Sequence, residues 1–102
     1  MKIEKMTRTA EMVSDLMKTL AHPKRLLILC QLVECERSVG ELAKLLDMRE
    51  AAVSQQLTLL RKDKLVATRR EGQTIWYSMP REDVRGLLGY LYESFCASPA
   101  RR

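Results

Sequence analysis

SVGELAKLLDMREAAVSQQLTLLRKDKLVATRREGQTIWYSM, Ser38 to Met79, is the stretch that decides the fold. Ser38 stands three positions ahead of Glu41, and apolar side chains recur at Val39, Leu42, Leu45 and Leu46. That combination is a capping box opening a short amphipathic helix. After Asp47-Met48-Arg49 a second helical pattern runs from Glu50 to about Lys62, with Ala52, Val53, Leu57, Leu59 and Leu60 as its apolar side. Ala51, Ser54, Gln55 and Thr58 form the other face, with Gln56 at its edge. Two β-prone runs come next, 65–70 and 74–79, joined through Glu71-Gly72-Gln73, and Gly in so short a link reads as a hairpin turn. Helix, tight turn, helix and hairpin in that order make a winged helix-turn-helix. Such a fold lays its second helix in a DNA major groove.

The residue types on that second helix suit the task. Short hydroxyl and amide groups bond base edges without bulk, whereas a solvated helix face needs no such selection. The charge is placed to match. The chain carries 18 Lys and Arg against 13 Asp and Glu, a net +5. Between Arg61 and Glu71 lie five of the basic residues (Arg61, Lys62, Lys64, Arg69, Arg70) and only Asp63 and Glu71 as acids. A positive stripe along the helix end and wing predicts phosphate contacts and salt-sensitive binding. The expected DNA-facing set is Arg49, Ala51, Ser54, Gln55, Gln56, Thr58, Arg61, Arg69, Arg70 and Gln73.

Outside this stretch the patterns are helical. Met12, Val13, Leu16, Met17 and Leu20 mark one helix, which is expected to stop before His22-Pro23 because the residue preceding a proline is pushed out of helical geometry. Pro23 suits the first turn of a second helix, with Leu26, Leu27, Leu29, Cys30 and Val33 as its expected core side. His22 is expected to cap that second helix. A last helix starts around Pro80 or Arg81, carries Glu82 and Asp83 in its first turn, and repeats Val84, Leu87, Leu88, Leu91 and Phe95, widened by Tyr90 and Tyr92. The expectation is a mainly α fold with one small β-hairpin, four helices preceding the hairpin and a fifth after it. It occupies residues 8–96 as a single domain, with 97–102 as a short tail.

The first and last helices carry more apolar surface than so small a core covers, which predicts a homodimer through them. Twofold symmetry sets two recognition helices about one DNA turn apart, ~34 Å, and calls for an inverted-repeat operator of double-stranded DNA. No apolar run approaches the roughly 20 residues a membrane span needs, and Met1 to Ala10 lacks the apolar core of a secretion signal, so a cytoplasmic protein is expected. No His-supported nucleophile, carboxylate pair or phosphate-binding glycine loop is present, so no enzyme is expected.

Taken together, Leu20-Ala21-His22-Pro23-Lys24-Arg25-Leu26, Ser38-Val39-Gly40-Glu41-Leu42, Val53-Ser54-Gln55-Gln56-Leu57 and Arg69-Arg70-Glu71-Gly72 resemble the ArsR-type bacterial repressors over residues 10–96. The resemblance implies a homodimeric repressor that leaves its operator when an inducer acts, with Ser54, Gln55, Gln56 and Thr58 touching DNA. Gln56 departs from the His of many relatives, and Arg49 from their small polar cap. Members that bind metal through a Cys-x-Cys pair at the start of the third helix have it where this chain has Ser38 and Gly40. Those that bind zinc on the final helix use His there, and this helix offers Asp83 and Glu93 without one. No metal and no cofactor are therefore expected.

Three cysteines remain: Cys30, Cys35 and Cys96. In a reducing compartment they are core fillers or responsive thiols, and the residues alone leave both open for Cys30. The run Ile28-Leu29-Cys30 with Tyr92-Glu93-Ser94-Phe95-Cys96 is similar to the dithiol branch of the family, the biofilm-growth-associated repressor type that responds to sulfide and persulfide. That similarity implies that Cys30 and Cys96 become crosslinked by reactive sulfur species or an oxidant, releasing the DNA and derepressing sulfide-handling genes. Cys35 has no counterpart there and reads as a bystander. Arg101 and Arg102 stand close enough in sequence to approach Cys96. Two other readings stay open: a repressor sensing arsenite or a heavy metal through all three thiolates, and a winged interaction module that does not bind DNA.

Overall fold

The computed structural model describes residues 1–96, and the expected tail at 97–102, with Arg101 and Arg102, lies outside the described residues. The elements are α1 (Ile3–Leu20), α2 (Pro23–Glu34), α3 (Val39–Leu46), α4 (Glu50–Lys62), β1 (Ala67–Glu71), β2 (Thr74–Ser78) and α5 (Glu82–Phe95), in the order expected from the sequence. α1 reaches back to Ile3, ahead of the boundary expected at residue 8.

α3 starts on the capping box: the Glu41 amide donates to Ser38 Oγ at 3.2 Å and the Ser38 amide donates to Glu41 Oε1 at 3.1 Å. It ends where Asp47 turns left-handed at φ 51°, a conformation that Asp tolerates better than most residues. The Met48 amide then bonds the Ala43 carbonyl at 2.9 Å, so the chain reverses within three residues and enters α4 at Arg49, whose side chain makes no cap. α4 closes in a similar way. Lys64 is left-handed at φ 61° and the Leu65 amide bonds the Leu60 carbonyl at 2.9 Å.

That turn drives Leu65 and Val66 into the core, so β1 begins at Ala67, two residues later than expected, and takes in Glu71 at its far end. The register pairs Glu71 with Thr74 and leaves only Gly72-Gln73 as the turn. Gly72 has φ 63°, as a two-residue hairpin turn with a left-handed first position requires. Arg37, between α2 and α3, adds a pairing that no local pattern signals. It forms a one-residue third strand against Tyr77, with amide-to-carbonyl distances of 3.1 and 2.8 Å.

The core is built from Leu20, Ile28, Leu29, Leu32, Leu42, Ala43, Val53, Leu57, Leu60, Leu65, Val66, Met79, Val84 and Leu88. The inner face of α2 is therefore Ile28, Leu29 and Leu32, and the expected core side is corrected: Leu27 and Cys30 point out. This helix is apolar nearly all round, so periodicity alone had no contrast from which to choose a face. Arg85 ties the layers. Its guanidinium donates to the Val33 carbonyl at 2.6 Å, one of the orphan acceptors at the end of α2, and to the Met79 carbonyl at 3.1 Å ahead of α5.

Met12 and Met17 on α1 and Tyr90, Tyr92 and Phe95 on α5 are exposed in the single chain. Among the described residues, no helix is long and apolar enough to cross a membrane. The corrected face of α2 is testable by urea unfolding at fixed protein concentration. Leu32→Ala is expected to cost about 2–5 kcal/mol as a core truncation, and Leu27→Ala less than about 1 kcal/mol. The reverse ranking would restore the face expected from periodicity.

Candidate nucleic-acid interface and thiol pair

α4 divides cleanly. Val53, Leu57 and Leu60 are fully buried, while Ala51, Ser54, Gln55, Thr58 and Arg61 are exposed on the opposite side, with Arg49, Lys62 and Lys64 flanking them. Thr58 Oγ1 donates back to the Ser54 carbonyl at 3.0 Å, which leaves its hydroxyl oxygen able to accept from outside. The buried half anchors the helix, and the exposed half is a shallow surface of small polar groups bounded by cations. This is the shape and chemistry a major groove accepts.

Gln56 does not share that surface. It is half-buried on the flank turned toward α2, and Arg25 Nε donates to its Oε1 at 2.8 Å. A guanidinium has donors only, so the carbonyl side of the amide is the one held. Arg25 also reaches the Thr19 carbonyl at 3.5 Å, and so bridges the end of α1, the start of α2 and the middle of α4. The sequence had no signal for this, because the partners are 31 residues apart.

The hairpin register separates the two wing arginines. Arg69 lies opposite Trp76 and Arg70 opposite Ile75, so alternation puts them on different faces. Arg70 shares its face with Val66 and Met79, which are buried at the base of the wing, Thr68 and Tyr77, which are half-buried, and Ile75, which like Arg70 is exposed near the tip. Arg69 stands on the outer face, bonded to Glu36 and Glu71. Gln73 is exposed in the turn.

All three cysteines are free and solvent-exposed. Cys30 lies on the outer side of α2, where it lines a cleft of about 430 Å³ with Gln31, Val33 and Glu34 of its own helix and Leu88, Gly89 and Tyr92 of α5. Partial burial in this cleft pushes the Cys30 thiol above its ordinary pKa, and the charge of Cys96 adds to the rise. The carbonyl of Tyr92, which lines the cleft with Cys30, accepts from the Cys96 amide at 2.8 Å, so Cys96 ends α5 one turn beyond the cleft although 66 positions separate it from Cys30.

Cys35 sits just past the end of α2 in extended backbone. Among the described residues no three His, Cys, Asp or Glu side chains gather as a metal site, so the three thiols of the arsenite reading are not assembled. His22 occupies the N-cap position of α2 without capping it, and its Nδ1 is buried without a partner.

This is a winged helix-turn-helix protein with an exposed recognition helix, a DNA-binding architecture. Residues 22–68 match the family described as bacterial regulatory protein, arsR family. The biofilm growth-associated repressor of Agrobacterium fabrum is 46% identical over 92 residues, covering 90% of this chain and 79% of that protein. The transcriptional activator HlyU of Vibrio cholerae is 38% identical over 96 residues, covering 94% and 89%. Among solved structures, the transcriptional repressor BigR from Xylella fastidiosa superposes with a TM-score of 0.89 at 42% identity, covering 94% of this chain and 98% of that one. A homodimeric winged helix-turn-helix DNA-binding domain from Mycobacterium bovis has a TM-score of 0.73 at 32% identity, covering 85% and 81%. The chain belongs to the arsR family of bacterial regulatory proteins. Its relatives are transcriptional regulators and not enzymes.

Only a thiolate reacts with iodoacetamide, so a raised pKa makes Cys30 slow at neutral pH, with its rate climbing through and beyond the ordinary thiol range. Replacing Cys96 by Ser removes one of the two causes of the rise. Mass-spectrometric alkylation rates against pH are expected to show Cys30 becoming faster in that variant on the alkaline limb, where the Cys96 thiol would otherwise carry its charge, and little changed near neutrality. An unchanged profile would mean the two thiols do not sense each other.

Proposed function

We propose that this protein is a cytoplasmic, homodimeric transcriptional repressor whose operator affinity is lost when a reactive sulfur species or oxidant joins Cys30 to Cys96, and that it regulates genes for handling sulfide. The carrying observation is that Cys30, exposed, lines a cleft between α2 and α5 together with Tyr92, and that Cys96, also exposed, ends α5 one turn beyond Tyr92. Accessible thiols at the end of one helix and on the facing side of another, kept reduced in the cell, suit a reversible crosslink better than a structural one.

The chemistry needs both. In polysulfide, one cysteine thiolate attacks a terminal sulfane sulfur and expels a polysulfide one sulfur shorter, leaving a cysteine persulfide. The second thiolate then attacks the sulfur bonded to carbon and expels hydrosulfide. Two thiols are oxidised to a disulfide, their protons pass to the medium, and the transferred sulfur is reduced to sulfide. The upward push on Cys30 suits it to the second step, in which a neighbouring persulfide compensates for a small thiolate fraction.

DNA is read in this proposal by Ala51, Ser54, Gln55 and Thr58, with Arg49, Arg61, Arg70 and Gln73 toward phosphates. The apolar residues left exposed on α1 and α5 form the dimer contact, a reading supported by the homodimeric relative. Crosslinking strain need differ between DNA-competent and incompetent dimers by only about 3 kcal/mol for a hundredfold loss of affinity.

The test is a gel shift of the reduced protein on the DNA upstream of its own gene, with and without polysulfide. Wild type is expected to bind and to lose roughly a hundredfold in affinity on treatment. Cys30→Ser and Cys96→Ser are each expected to bind equally well and to stay bound. Release that persists in both variants would refute the dithiol trigger and leave the DNA-binding assignment intact.

A further inference from the structure

Arg69 is held by two carboxylates. Its Nε donates to both oxygens of Glu36 at 3.0 Å, a terminal nitrogen lies 2.9 Å from Glu36 Oε1, and the other lies 3.2 Å from Glu71 Oε2. At least three of the five guanidinium donors are thus occupied. The guanidinium carbon also lies 5.9 Å from the Trp76 ring centroid, which steadies the side chain on the outer face of the wing. One positive charge against two negative ones gives this patch a net −1.

Glu36 reaches the wing by a fixed route. It precedes Arg37, whose backbone pairs with Tyr77 of β2 in both directions, so the carboxylate is delivered by hydrogen-bonded main chain. Arg70, one residue on, faces the other way and has no ion pair among the described residues. Exposed ion pairs contribute little to stability, so the value of this one has to be sought elsewhere. A phosphate approaching Arg69 would have to displace a bidentate carboxylate and then face two uncompensated negative charges.

We infer that Glu36, with Glu71, is a specificity-setting residue that withholds Arg69 from DNA phosphates, so that the wing offers duplex DNA a single positive edge, that of Arg70. Phosphate contacts carry no sequence information and supply nearly all non-specific binding. Removing one from the ground state lowers affinity for arbitrary DNA and leaves discrimination to α4. The inference rests on the DNA-binding reading proposed for α4.

The experiment is fluorescence anisotropy of the full chain on a random-sequence duplex of about 30 base pairs, titrated with NaCl from about 50 to about 200 mM. Glu36→Gln is expected to bind this duplex more tightly at low salt, with a log–log salt slope steeper by about 0.9, the release of one further counterion. Its advantage over wild type then shrinks about 3.5-fold across the range. Adding Arg69→Ala is expected to abolish the gain, and Glu36→Asp to restore the wild-type slope. Circular dichroism checks folding, and Glu71→Gln serves with the same expected sign if Glu36→Gln unfolds.

An unchanged slope in the glutamine variant overturns the inference. So does a gain that survives Arg69→Ala, because a general change of field would then account for it. Folded wild type that binds no duplex at about 50 mM NaCl removes the DNA-binding reading and this inference with it, whereas a failure confined to the variants removes the inference alone.

Discussion

Everything functional in this molecule is referenced to α2, because Ile28, Leu29 and Leu32 bury a single face of it at the centre of the core. Burying that face presents Cys30 on the other side, toward α5. The end of the same helix is fastened twice: Arg85 takes the Val33 carbonyl, and Arg37 pairs with β2 a few residues later. The start of the helix is fastened through Arg25 to Gln56 on α4. One buried face therefore fixes the thiol, the wing and the recognition helix relative to one another. A helix held this way moves as a body or not at all, because close-packed interiors shift between discrete arrangements more readily than they deform.

Charge is distributed with the same economy. The basic surplus between Arg61 and Glu71 is real, but the hairpin register and Glu36 set its two wing arginines apart: Arg70 is exposed on one face without an ion pair among the described residues, and Arg69 on the other is already matched by acids. In the proposed DNA complex, net charge would steer the protein from a distance, and the local pairing would decide which cations remain for phosphate once it arrives. A count of lysines and arginines is thus a sound guide to partner class and a poor guide to contact number.

How much of this was legible in the sequence depends on the range of each interaction. The capping box of α3, the turn before α4 and the Gly72 hairpin are local, so Ser38, Glu41 and Gly72 announced them. The division of α4 was readable for Val53, Leu57 and Leu60 against Ser54, Gln55 and Thr58, which give strong contrast, whereas Leu59, expected on the apolar side, is exposed. The inner face of α2 was not, because apolar residues surround that helix. Nor were the pairings Arg25 with Gln56, Glu36 with Arg69 and Arg85 with Val33, which join residues 31, 33 and 52 positions apart. A single sequence encodes such contacts only through the finished fold. The candidate thiol pair is intermediate: Cys30 and Cys96 were singled out by resemblance to a family branch, and their mutual influence emerges only when α2 and α5 are seen to share a cleft.

In the proposed switch, a crosslink between α2 and α5 would act on DNA by leverage. In the proposed dimer α5 belongs to the subunit interface, while α4 belongs to the reader carried by α2, so a bond between Cys30 and Cys96 constrains the angle between interface and reader. The two α4 helices must sit ~34 Å apart to meet successive major grooves. Turning each reader by about 10° around a point half that distance away displaces its contacts by about 3 Å, whereas a hydrogen bond to a base edge tolerates only a few tenths of an ångström. The reader itself need not unfold or even distort for the operator to be lost. On the proposed mechanism a modest strain between the middle of α2 and the end of α5 would therefore suffice, with the recognition surface of α4 unchanged between the two states.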